Sequence, residues 1–174
     1  MNAHECCWIR IGAALLEGEG QMSIGSGHPK MALAEAKALY TRWAPMVLRF
    51  CKLFLGDDSL AEQAAIEILV RFFKSGHRAE ENGVPVGLLS LAFRVASQSF
   101  SANRESLEPL HAAVLDLDPT RRAVFILHGA MSVQLPWIAA ILGLSLAQIT
   151  GLWAKALLQI RDRLPEDFFK EQHR

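Results

Sequence analysis

With 174 residues, 51% of them hydrophobic, the chain has room for one medium domain or two small ones and enough apolar material for a core. Its 18 basic and 18 acidic side chains cancel, which argues against a protein that binds nucleic acid through its own excess of positive charge. Cys6, Cys7 and Cys51 form no CxxC pair, and His4-Glu-Cys-Cys7 has no second half at ligand spacing, so reduced, non-ligating thiols are expected and no metal site. Mean hydropathy is +0.19, yet charges interrupt every apolar run short of the ~18 residues of a membrane span. The N-terminus has no basic start, apolar run and small-residue cleavage site in sequence, so a soluble, cytoplasmic protein without a membrane span is expected.

Residues 1–30 include "EGEGQMSIGSGHPK", rich in Gly and Ser, and are expected to be poorly ordered apart from a short helix over Trp8 to Leu16. From Met31 the pattern becomes helical. Leu39, Trp43, Met46/Val47, Phe50 and Phe54 recur at three- and four-residue spacing, and Gly56 ends the run. Asp57, Asp58 and Ser59 then offer N-caps for a second helix, "LAEQAAIEILVRFFKSG". It stacks Ala61, Ala65, Ile68/Leu69 and Phe72 on one side, with Gly76 as its stop. After the charged loop "HRAEENGVP", a third helix is expected over "VGLLSLAFRVASQSFSANR". The polar stretch 105–111 reads as a linker of about ten residues with its neighbours, reaching on the order of 35 Å when extended. Overlapping its end comes "EPLHAAVLDL", then "PTRRAVFILHGAM" with Asp118 as N-cap and Pro119 at the first helical position, then "SVQLPWIAAILGL", and last "SLAQITGLWAKALLQIR". No strand-like alternation is present. The expectation is an all-α chain of two small helical lobes, residues 31–104 and 112–174, after the N-terminal segment 1–30, with a helix-turn-helix in the second lobe.

Catalysis is not expected. His4, His28, His77, His111, His128 and His173 are scattered and lack carboxylate or Cys neighbours at ligand spacing. "GSGHPK" lacks the second Gly-Lys-Ser/Thr of a phosphate loop, and Asp57-Asp58 is explained by capping. No cofactor is called for.

Two ordered segments carry a resemblance. "ALYTRWAPMVLRFCKLFLGDDSLAEQAAIEILVRFFK" is similar to the first lobe of bacterial extracytoplasmic-function sigma factors, divergent members of the sigma-70 family that serve as promoter-recognition subunits of RNA polymerase. "LDLDPTRRAVFILHGAMSVQLPWIAAILGLSLAQITGLWAKALLQIRDRL" resembles the second lobe of that family. Leu117, Pro119, Arg122, Ala123, Val124, Phe125, Ile138, Ala139, Leu142, Gly143, Ile149 and Ala156 fall where the family pattern wants them. The resemblance implies a sigma region 2-like domain over 31–104 and a region 4-like domain over 112–174. It implies that core RNA polymerase docks on Glu62, Gln63, Ile66, Glu67 and Arg71. It also implies promoter DNA contacts from Arg94, Gln98 and Arg104 downstream, and from Gln148, Thr150, Gly151, Lys155 and Arg161 upstream.

The last helix departs from the family. Positions usually basic carry Thr150, Gly151, Leu152, Ala154, Leu157, Leu158 and Gln159, and only Lys155, Arg161 and Arg163 remain positive. Each lost specific contact costs roughly 1–3 kcal/mol, so DNA affinity of the protein alone should be weak. In the first lobe Gln63 and Ile66 replace the usual Asp and Gln, Gly87 stands for a Trp, and Arg94 and Gln98 stand for Asn and Asp. Phe93 and Phe100 have a base-stacking reading beside the plainer one of core packing. The apolar positions Leu146, Ile149, Leu152, Trp153, Leu157 and Ile160 cover a wide arc for one buried stripe. That favours a second reading beside promoter recognition: a sigma-like regulator whose recognition helix binds a protein, whether an anti-sigma factor, a co-sigma subunit or a second copy.

Overall fold

A computed structural model of the chain describes residues 33–75, 85–99, 108–165 and 168. The expected helix over Trp8 to Leu16, the candidate stop Gly76, Phe100 and Arg104 lie outside the described residues. Within them every regular element is helical. Helix α1 (Leu33–Leu55) buries Tyr40, Ala44, Val47, Phe50, Cys51 and Phe54, the spacing that brings one stripe of a 3.6-residue helix to the core. Pro45 lies on its outer side, where the lost backbone bond faces solvent. Burial pushes the Cys51 thiol up to about 12, which leaves it an inert apolar filler.

Gly56 turns the chain at φ +71°, a conformation open to glycine without a Cβ clash. Asp57 then caps α2 (Asp58–Lys74), its carboxylate accepting from the Leu60 N–H at 2.9 Å. Such a cap stabilises a helix by about 1 kcal/mol. Ala61, Ala64, Ala65, Ile68, Leu69, Phe72 and Phe73 form the buried side of α2, which lies along α1. Helix α3 (Val86–Gln98) packs on both through Leu88, Leu89, Ala92, Val95 and Ala96. It ends earlier than its apolar pattern suggests, because Ser99 is extended. The hydroxyls of Ser97 and Ser99 donate to the carbonyls of Phe93 and Val95 at 2.6 and 3.3 Å, offering the backbone an alternative to continued helix.

Helix α4 (Pro109–Leu115) begins inside the stretch expected to be linker. Helix α5 (Pro119–Phe125) is capped by Asp118, which accepts from the N–H groups of Thr120 and Arg121, each at 3.1 Å. It runs on as a π-helical turn over Ile126–Ala130, closed by Met131 N–H donating to Ile126 at 3.0 Å. Three rings meet beside this wider turn: Trp153 stacks on Phe125 at 5.6 Å and meets His128 edge to face at 4.8 Å between ring centres. A Cβ on Gly129 would come within 3.2 Å of the Trp153 ring, tighter than an ordinary contact, so a larger residue there would require the ring to give by a few tenths of an ångström. Helices α6 (Leu135–Leu142) and α7 (Leu146–Arg163) complete the chain.

One apolar cluster runs from α1 to α7, and four polar links between the halves share a logic. Each is a side chain of one half donating to a carbonyl at or near a helix end of the other. Arg122 donates to Phe54 at 3.0 Å while its guanidinium lies 5.0 Å from the Phe54 ring centre. His111 Nε2 meets the Leu53 carbonyl at 3.1 Å, Arg49 meets Ala130 at 2.9 Å, and Ser90 meets Ile141 at 2.7 Å. Last-turn carbonyls have no partner within their own helix, so these donors supply what water would otherwise provide.

Candidate nucleic-acid interface

The chain turns through 103° between α6 and α7, within the range of a helix-turn-helix. Gly143, at φ +66°, makes the turn, and the Leu144 N–H donates to Ala139 at 3.0 Å. Ile138 and Ile149 are fully enclosed at the corner, with Leu142 and Trp153 half-buried beside them. Ser145 caps α7 through a reciprocal box. Its Oγ accepts from the Gln148 N–H at 3.3 Å, while Gln148 Oε1 accepts from the Ser145 N–H and Oγ–H, both at 2.9 Å.

The inner side of α7 is thoroughly tied. Ile149, Ala156 and Ile160 are buried, Gln159 accepts from Arg121 at 2.6 Å, and Arg163 donates to Asp116 at 2.6 Å. Arg121 is also paired with Asp118. Burial would raise the Asp118 carboxyl, but the Arg121 and Thr120 N–H groups and the Arg121 guanidinium outweigh it and hold it below its ordinary value.

The outer side presents the upstream candidates Gln148, Thr150, Gly151, Lys155 and Arg161, all exposed. Their polar groups are not equally available. Gln148 is engaged through its carbonyl oxygen, Thr150 donates to Leu146 at 2.9 Å, and Arg161 is paired with Asp162 at 2.9 Å. Lys155 is the one basic side chain of α7 without an ion pair among the described residues. Of the apolar arc noted in the sequence, Ile149 and Ile160 belong to the core and Leu152 and Trp153 pack against it. Leu146 and Leu157 stay 49% and 43% exposed, joined by Leu158 at 51% and by Trp137 of α6 at 40%. Sequence reasoning left Leu158 and Trp137 out of that arc. A helical wheel anchored on Ile149 and Ile160 puts Leu158 on the outer side with Ala147, Gly151 and Ala154.

The other candidates occupy separate surfaces. On α2, Glu62, Gln63, Glu67 and Arg71 are exposed, Glu67 and Arg71 paired at 2.5 Å, while Ile66 is half-buried against the core. On α3, Arg94 and Gln98 are exposed. Phe93 is half-buried and meets Phe54 edge to face at 6.2 Å, so packing accounts for it. No single helix among the described residues is long and apolar enough to cross a membrane.

No family model and no curated protein sequence matches the chain. Among solved structures it is similar to the sigma factor RpoE from Bartonella quintana, crystallised in complex with the anti-sigma factor NepR. That likeness has a TM-score of 0.59 at 17% identity and covers 75% of this chain and 97% of the other. At that identity it is a likeness of fold: this chain has a sigma-factor-like, all-helical fold.

Proposed function

We propose that this protein is an RNA polymerase sigma factor that binds core polymerase and directs promoter recognition in transcription initiation, and so works in the cytoplasm. The observation that carries the reading is a capped, outward-facing α7 at a 103° corner within a helical arrangement similar to that of RpoE. Glu62, Gln63, Glu67 and Arg71, with the edge of Ile66, form the polymerase-docking side of α2. Arg94 and Gln98, with Arg104, serve the downstream promoter strand, and the outer side of α7 serves the upstream element. The regions over 31–104 and 112–174, joined through 105–111, act as the two functional units, and neither has a catalytic role.

With zero net charge and Lys155 as the one cation of α7 without an ion pair among the described residues, DNA affinity depends on polymerase to hold the helix at the groove. The test is to purify the chain with core polymerase and assay initiation on genomic DNA fragments. Initiation is expected from the complex and not from core polymerase alone. Glu67→Lys should abolish co-purification with polymerase, and undiminished co-purification would remove α2 from the docking surface.

A second reading has its own support in the exposed Leu146, Leu157 and Leu158. An apolar rim of this kind suits a protein partner, such as an anti-sigma factor, a co-sigma subunit or a second copy. Binding to promoter DNA only after such a partner is removed would join the two readings. A partner without any promoter binding would leave the second alone.

A further inference from the structure

From the capping geometry of α7 we infer that Gln148 is a donor-only base reader, selecting a major-groove edge that offers acceptors, guanine or thymine, over adenine. The inference rests on the reading of α7 as the DNA-facing helix. It concerns what this chain's own cap does to the chemistry of that helix.

A recognition helix meets base edges through its N-terminal residues, and Gln148 is the third residue of α7 and exposed. A free glutamine amide pairs with adenine in a bidentate manner, its NH2 donating to N7 and its carbonyl accepting from the N6 amino group. Here the carbonyl is already committed. The Ser145 backbone N–H can only donate, so the amide atom 2.9 Å from it is the oxygen, Oε1. The Ser145 hydroxyl lies 2.9 Å from the same oxygen and donates to it, since its own oxygen accepts from the Gln148 N–H. A carbonyl oxygen has two lone pairs, and both are taken.

Nε2 and its two hydrogens are what remain for a ligand. Guanine presents N7 and O6, both acceptors, and thymine presents O4; adenine sets an unmatched amino group beside N7, and cytosine offers only its amino donor. Thr150, two residues on and on the opposite flank of α7, has its hydroxyl turned back to the Leu146 carbonyl at 2.9 Å.

The test uses the full chain bound to core polymerase and a random-sequence DNA pool, with bound sequences read out for the wild type and three variants. Gln148→Ala locates the base position that the side chain controls, as the position whose preference flattens. In the wild type that position should be guanine or thymine, with adenine depleted by roughly ten-fold. Gln148→Glu can keep the cap with one carboxylate oxygen and present the other as an acceptor, so the same position should turn to cytosine or adenine. Ser145→Pro suits the Ser145 φ of −72° and deletes both donors that hold Oε1, so it should admit adenine there. Adenine enriched by the wild type at that position, or profiles indifferent to Gln148→Ala and Gln148→Glu, would overturn the inference while leaving promoter recognition standing. Polymerase binding without any enriched sequence would instead remove α7 from DNA and this inference with it.

Discussion

Helices α2 and α7 are built alike and finished differently. Each follows a positive-φ glycine, is capped by a short polar side chain, and buries a stripe of small and branched residues. Ala61, Ala65 and Ile68 do for α2 what Ile149, Ala156 and Ile160 do for α7. Both outer sides carry exposed polar and basic residues, Gln63 and Arg71 on α2 and Gln148, Lys155 and Arg161 on α7, but they differ in what accompanies them. That of α2 carries Glu62, Gln63, Glu67, Arg71 and Lys74, the ordinary mix of a solvated helix. That of α7 carries Leu146, Leu157 and Leu158, with Ala147, Gly151 and Ala154 between them. Folding requires the inner stripe in both cases, whereas it does not require exposed leucines. The difference therefore marks α7 as the helix whose outer side is shaped by something other than the stability of this chain.

The largest expected effect tests the shared half of that comparison. Ile68→Ala and Ile149→Ala should each lower the unfolding free energy by about 2–5 kcal/mol in denaturant titration, because both side chains are enclosed. A negligible loss at Ile149 alone would mean that α7 is not held by its inner side.

The glycines of the C-terminal corner should respond with opposite signs. Gly143→Ala forces a Cβ into the left-handed region and should cost about 1–2 kcal/mol, measurable as a lower Tm. Gly151→Ala meets open space in mid-helix and should stabilise by about 1 kcal/mol. If it also weakens promoter binding, the glycine serves a close approach to the groove.

Asp118→Ala removes the cap of α5 and the anchor of Arg121, which in turn holds Gln159 of α7, and should cost about 1 kcal/mol. The pH dependence has a definite sign. The folded-state carboxyl lies below its ordinary value of 3.8, so its stabilisation is complete above that value and is lost as pH falls through the lower folded value. The wild type and Asp118→Ala should therefore converge in stability in acid and separate toward neutrality, and parallel profiles would contradict the assignment.

The smallest effect on folding carries the most information about function. Leu158→Lys should change stability by no more than about 0.5 kcal/mol, since the side chain is half in solvent already. A larger loss would show that Leu158 belongs to the fold after all. An unchanged Tm with lost partner or promoter binding would establish that it belongs to the interface.

Much of this architecture was legible in the residues. Apolar spacing located every described helix, and Gly56, Asp57, Asp118, Pro119, Gly143 and Ser145 marked its boundaries, because caps and positive-φ turns act over a few residues. The end of α3 was misjudged because its pattern runs on past the point where serine hydroxyls compete for the backbone. The π turn was not legible at all, and the Trp153 ring packed beside it is distant in sequence from Phe125, His128 and Gly129. For the candidate site, the sequence could nominate Gln148, Thr150 and Arg161 by type and position. It could not tell that the Gln148 carbonyl, the Thr150 hydroxyl and the Arg161 guanidinium already have partners within the chain.

The sequence by itself thus determined an all-helical chain, its corners and caps, and the inward stripes of α1 and α2. These follow from local geometry and from the periodic placement of apolar side chains. Only the tertiary structure decided how the halves join, with Arg122, His111, Arg49 and Ser90 finding carbonyls at or near helix ends across the boundary. It also decided which leucines of α7 remain outside. Burial depends on where neighbouring helices lie, and a hydrogen bond between residues far apart in the chain exists only once packing has brought donor and acceptor together.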